Sequence, residues 1–151
     1  MSRSGSDLPV ILLIEDNPAD VELTRIALSK GRRLEVVRDG QEALDYLHRR
    51  GEFEDPERSP WPDLVLLDLN LPRLDGREFL REISEDPRSP SLNIIVLTSS
   101  AEEEDLMRSY ARGVKSYVTK PAEIDEFLRT ILTLEEYWLQ TVDLPGEPSL
   151  N

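Results

Sequence analysis

Five short apolar runs, separated by stretches of helical periodicity, leave this chain few folds to choose from. Val10 to Ile14, Leu34 to Val37, Leu64 to Leu67, Ile94 to Leu97 and Ser116 to Val118 have the length and composition of strands. Strands that alternate with helices form a parallel sheet covered on both faces. The expected fold is therefore α/β: a doubly wound, five-stranded parallel sheet with five helices, the last of them extended. In such a sheet, ligands bind in the crevice outside the carboxyl ends of the strands. Four of the five runs stop on reactive side chains at that edge: Glu15 and Asp16, Asp68, Thr98 and Ser99, and, beyond Thr119, Lys120.

The helices can be placed from their starts. Asn17 followed by Pro18 reads as an amide cap and a first-turn proline. Val21, Leu23, Ile26, Ala27 and Leu28 then supply the apolar side of helix one. Asp39 and Gly40 introduce a second helix with Ala43, Leu44 and Leu47 inward, and Gly76 leads a third with Phe79, Leu80 and Ile83 inward. Ser100 caps a fourth helix with an acidic first turn, and the last runs from about Glu123 to Leu139, carrying Ile124, Phe127, Leu128, Ile131 and Leu132. Between the second helix and third strand, residues 51–62 hold Pro56, Pro60 and Pro62 among charged residues and are expected to form an exposed loop.

At 151 residues the chain suits one domain. Residues 1–8 read as a flexible leader, 9–139 as the domain and 140–151 as a tail too short to fold alone. The net charge of −13 opposes contact with nucleic acid or anionic membranes, so neither is expected as a partner. There is no cysteine for a disulfide or thiolate metal site, and no apolar run approaches a membrane span. A cytoplasmic location is expected.

Glu15, Asp16 and Asp68 at neighbouring strand ends would repel one another, so either a cation or a raised carboxylate pKa is required. Oxygen ligands without His or Cys select a hard ion, Mg²⁺, with Asp16 and Asp68 as direct ligands and Glu15 acting through water. A carboxylate can also attack phosphorus to give an aspartyl phosphate, with Mg²⁺ and Lys120 set against the transferring oxygens and the Thr98 hydroxyl donating to one of them. Taken singly, Asp68 could be a cap or turn former, Asp16 could cap a helix, Thr98 could be a turn hydroxyl and Lys120 a solvated surface residue. Four such coincidences at four strand ends are much less expected than one site.

These residues carry a resemblance. Ile-Glu-Asp-Asn-Pro at 14–18, Leu-Leu-Asp-Leu-Asn-Leu-Pro at 66–72 with Asp75-Gly76, Leu97-Thr98-Ser99 and Lys120-Pro121 together resemble the receiver domain of two-component response regulators, a flavodoxin-like fold. The resemblance spans about Val10 to Leu134. It implies that Asp68 accepts phosphate from a sensor histidine kinase, that Glu15 and Asp16 hold Mg²⁺, and that the Asn70 backbone carbonyl completes the metal shell. It further implies a switch pair of Thr98 and Tyr117, a phosphate contact by Lys120, and at Pro121 a position where the family often has a cis bond.

Asp39-Gly40, the proline-rich loop, Asp75-Gly76-Arg77-Glu78, the acidic fourth helix and the Tyr137-Trp138-Leu139 ending resemble small single-domain regulators that partner phytochrome-type kinases. Signalling is then expected through protein contacts. A homodimer through the fourth helix, the fifth strand and the extended last helix would use Tyr137, Trp138 and Leu139 as interface residues. Such a protein is a phosphoacceptor switch, not an enzyme beyond its own phosphorylation and dephosphorylation. A haloacid-dehalogenase-like phosphatase would need an acid/base Asp at position 70, where Asn stands. A degenerate receiver scaffold would not need every reactive position filled. His48, expected in helix two far from the strand ends, is read as a solvated residue and not a phosphorelay group.

Overall fold

The computed structural model describes residues 8–28, 32–68, 76–98, 114–119 and 123–136. Five strands, β1 (Val10–Ile14), β2 (Arg33–Val37), β3 (Leu64–Asp68), β4 (Ile94–Thr98) and β5 (Val114–Thr119), form one parallel sheet in the order β2-β1-β3-β4-β5. The described helices are α1 (Pro18–Ala27), α2 (Gly40–Leu47), α3 (Gly76–Ile83) and α4, the last helix (Ile124–Glu136). The helix expected from Ser100 and the residues beyond 136 lie outside the described residues.

The sheet is wound on both sides, and alternation along the strands sorts its side chains into two cores. Leu12, Ile14, Val65, Leu67, Ile94 and Val96 pack with Leu44, Leu47, Phe79 and Ile83 under α2 and α3. Ile11, Leu13, Leu64, Leu66, Ile95 and Leu97 pack with Leu28, Phe127 and Ile131 under α1 and α4. The doubly wound expectation holds. Every residue of β1 is buried because helices cover both of its faces.

The helix starts follow their caps. Asn17 Oδ1 accepts from the N–H groups of Ala19 and Asp20, at 2.9 and 3.3 Å. The Asp39 carboxylate accepts from Glu42 N at 2.8 Å. Asp39→Ala should cost about 1 kcal/mol of stability, read as a lower urea midpoint at unchanged slope.

Two expectations need correction. Ile26 is not in the core but 66% exposed. The inward place on α1 is taken by buried Thr24, whose hydroxyl turns back to Asp20 O at 2.8 Å. A helix turns about 100° per residue, and positions 21, 24 and 28 share the stripe that 26 leaves.

The second correction concerns the proline-rich segment, which is not exposed throughout. Ser59, Trp61 and Pro62 are buried, and a short 3-10 turn forms at Gly51–Phe53. Tyr46 donates its hydroxyl to Pro60 O at 2.7 Å, and its ring lies 5.3 Å from that of Phe53. Burial, aided by the Glu35 charge, pushes the Tyr46 phenol well above its ordinary pKa, so it stays a neutral donor. Arg88 spreads over the Trp61 ring at 4.3 Å and donates to Leu47 O at 3.0 Å, while Asp86 accepts from Arg88 and lies 3.2 Å from the His48 ring nitrogen. His48 is thus the α2 C-cap, exposed but in contact with Asp86, and not merely a solvated helix residue.

Candidate acidic site at the strand carboxyl ends

β1 and β3 deliver the first two carboxylates by register alone. Ile11 pairs with Leu64 and Ile14 with Leu67, so the next step along both strands sets Glu15 opposite Asp68. Alternation also puts them on one side: Glu15 follows Ile11 and Leu13, and Asp68 follows Leu64 and Leu66, all on the α1 and α4 face. Both are buried, Glu15 to 1% and Asp68 to 7% exposure, whereas Asp16 is exposed. The Glu15 backbone N–H is held by Val37 O at 3.0 Å, and Glu15 Oε2 accepts from Asn17 N at 3.3 Å.

Glu15, Asp16 and Asp68 each place a carboxylate oxygen within 4.8 Å of the others. Two buried unit charges at that separation, such as those of Glu15 and Asp68, repel by roughly 3.5 kcal/mol at an effective dielectric near 20. The residues fit a hard divalent cation. Three carboxylates gathered this closely could hold one such ion, directly or through its waters. Asp16 is also relieved of the competing helix-cap role, since Asn17 fills it. Nothing in the donor set calls for a softer metal, as no His or Cys is among the three.

Of the other expected site residues, Thr98 closes β4, its backbone paired with Thr119, while its side chain is outside the described residues. Asn70, Lys120 and Pro121, and the interface residues Tyr137, Trp138 and Leu139, also lie outside them. Tyr117 sits in β5 beside Val96, half-buried, and packs against the core under α2 and α3. His48 belongs to the opposite edge of the sheet, at the end of α2. Among the described residues, no helix is long and apolar enough to cross a membrane.

Known proteins resemble this chain in sequence and fold. The chain is 40% identical over 149 residues to response regulator Rcp1 of Synechocystis, a match covering 97% of this chain and 99% of Rcp1. It superposes on the phosphorylated cyanobacterial phytochrome response regulator RcpA with a TM-score of 0.83 and 42% identity, over 92% of this chain and 99% of RcpA. The Mn²⁺-bound form of Rcp1 superposes with a TM-score of 0.80 at 41% identity, over 91% of this chain and 99% of that one. Residues 11–132 match the profile of the response regulator receiver domain. With the strand order, the acidic trio and these likenesses in agreement, the chain belongs to the response regulator receiver domain family and serves two-component signalling.

Proposed function

We propose that Asp68 is the phosphoacceptor of this receiver and that Glu15, Asp16 and Asp68, with the Asn70 backbone carbonyl, hold Mg²⁺ beside it. The observation that carries the reading is the convergence of three carboxylate oxygens within 4.8 Å at the edge where β1 and β3 end. An Asp68 oxygen attacks phosphorus, and the bond from phosphorus to the donor breaks in line. The bound ion supplies charge against the transferring oxygens. Lys120 neutralises the phosphoryl group, and the Thr98 hydroxyl donates to it, with Tyr117 as the second member of the switch pair. Thr98 gains this acceptor only in the phosphorylated state, a difference between states that a switch requires.

The donor in this reading is a sensor histidine kinase of the phytochrome type, in keeping with the likeness to Rcp1 and RcpA. The chemistry is limited to the protein's own phosphorylation and dephosphorylation, in the cytoplasm, and the signal leaves through protein contacts. A homodimer would form through the segment after β4, β5 and the end of the last helix, with Tyr137, Trp138 and Leu139 as anchors. Sedimentation at high micromolar concentration should show a dimer; a monomer both with and without phosphorylation would refute that assembly.

Asn70 argues against the phosphatase alternative, because an amide cannot shuttle the proton that turnover requires. The test is intact-mass measurement after treatment with acetyl phosphate and Mg²⁺. Stable addition of one phosphoryl group, without turnover of small phosphate esters, is expected.

A further inference from the structure

β1 and β3 contain no pattern of their own that selects their mutual register. Val10–Ile14 and Leu64–Leu67 are apolar and buried at every position. A strand covered on both faces lacks the polar alternation that distinguishes one pairing from the next. A slip of one residue would exchange leucine and valine for leucine and valine, at little cost in burial. It would nonetheless move Asp68 by about 3.3 Å along its neighbour and turn it to the face away from Glu15. Polar groups at the strand ends must make the choice.

At the end away from the acidic site, Asp63 does so. It is 2% exposed, its Oδ2 accepts from Val10 N at 2.8 Å, and its own N–H donates to Val10 O at 2.8 Å. Asn93 braces it from the other side: Asn93 Nδ2 donates to Asp63 O at 3.1 Å, and Asn93 O accepts from Val65 N at 2.8 Å. Asp63 and Val10 are 53 residues apart in sequence. That same offset pairs Ile11 with Leu64 and Ile14 with Leu67, and one step further it sets Glu15 against Asp68.

We infer that Asp63, braced by Asn93, is a register pin: a positioning residue that fixes Asp68 beside Glu15 from the opposite end of the strand. A slip in either direction would take Val10 N–H away from the buried Asp63 side chain, and the loss of a buried hydrogen bond is disfavoured. The pin thus supplies the register discrimination that the apolar strands cannot. This inference rests on the reading of the acidic site as a cation and phosphoryl centre.

The experiment uses the full chain with Mn²⁺ alone as probe, the free ion being counted by electron paramagnetic resonance. Asp63→Ala, with wild-type far-ultraviolet dichroism, should bind Mn²⁺ about tenfold more weakly, the loss typical of disturbed ligand positioning. Asp63→Asn retains a carbonyl acceptor for Val10 N–H and should restore most of the affinity, which a loss of stability alone would not predict. Wild-type affinity in folded Asp63→Ala would overturn the inference. If that variant does not fold, Asn93→Ala decides: a smaller loss in the same direction supports the pin, and unchanged affinity refutes it. Should the wild-type protein itself fail to bind Mn²⁺, the reading of the site falls. The pin is then tested separately by cross-strand nuclear Overhauser contacts between Leu12 and Val65 and between Ile14 and Leu67. A second or missing set in Asp63→Ala but not Asp63→Asn supports it, and a single wild-type set in both refutes it.

Discussion

Asp68→Asn is expected to abolish phosphoryl labelling by acetyl phosphate, leaving one unmodified species where the wild-type protein gains the mass of a phosphoryl group. The amide differs from the carboxylate by little more than its charge, so the buried position at the end of β3 keeps its shape while losing the nucleophile. Chelating the divalent cation from wild-type protein should give the same blank spectrum, since charge at the transferring oxygens would be missing even with the nucleophile in place. Labelling of the variant at wild-type level would move the phosphoacceptor elsewhere. Equal binding of a partner by wild type and variant under phosphorylating conditions would instead favour a scaffold.

The largest effect on stability should come from Arg88→Ala, a loss of about 3 kcal/mol measured as a fall in urea midpoint and melting temperature. Arg88 is 7% exposed, and its partners include the Trp61 ring, the Leu47 carbonyl and the Asp86 carboxylate. Truncation leaves a buried carbonyl and a mostly buried carboxylate without the group they share. Indole fluorescence should shift to the red as water reaches Trp61.

The same network carries a dependence on pH. Burial raises the Asp86 pKa, but the hydrogen bonds and charge of Arg88, with the His48 bond, outweigh it, and the carboxyl titrates below its ordinary value. A depressed folded pKa means that the unfolded chain takes up the proton first. The stabilisation is therefore complete above the ordinary carboxylate range, near pH 4, and is lost as pH falls through the lower folded value. Acid unfolding of Arg88→Ala should show a weaker slope in that window than the wild type.

Much of the fold could be read locally. The Asn17-Pro18 start, the Asp39-Gly40 start of the second helix and the bounds of β1 needed only neighbouring residues, and each stands as expected. Strand ends differed by a residue or two, as with β5, which begins at Val114. The facing of Ile26 was misjudged because hydrophobicity was taken for orientation, whereas the angle around the helix decides burial. The 51–62 segment was misjudged for another reason. Its composition reads as solvated loop, and the group that buries Trp61 is Arg88, far along the chain, on the turn before β4. No local pattern encodes a cation stacked on a ring across that separation.

The acidic site divides in the same way. Which acidic side chains would meet was legible from the order of residues at the ends of apolar runs, because parallel strands must bring those ends to one edge. That Glu15 stands across from Asp68, on the same face and within reach of Asp16, was decided only in the folded sheet. The physical reason is that β1 and β3, apolar throughout, fit many registers equally well by burial. The choice among them falls to polar contacts such as that between Asp63 and Val10, which exist only once distant segments lie side by side.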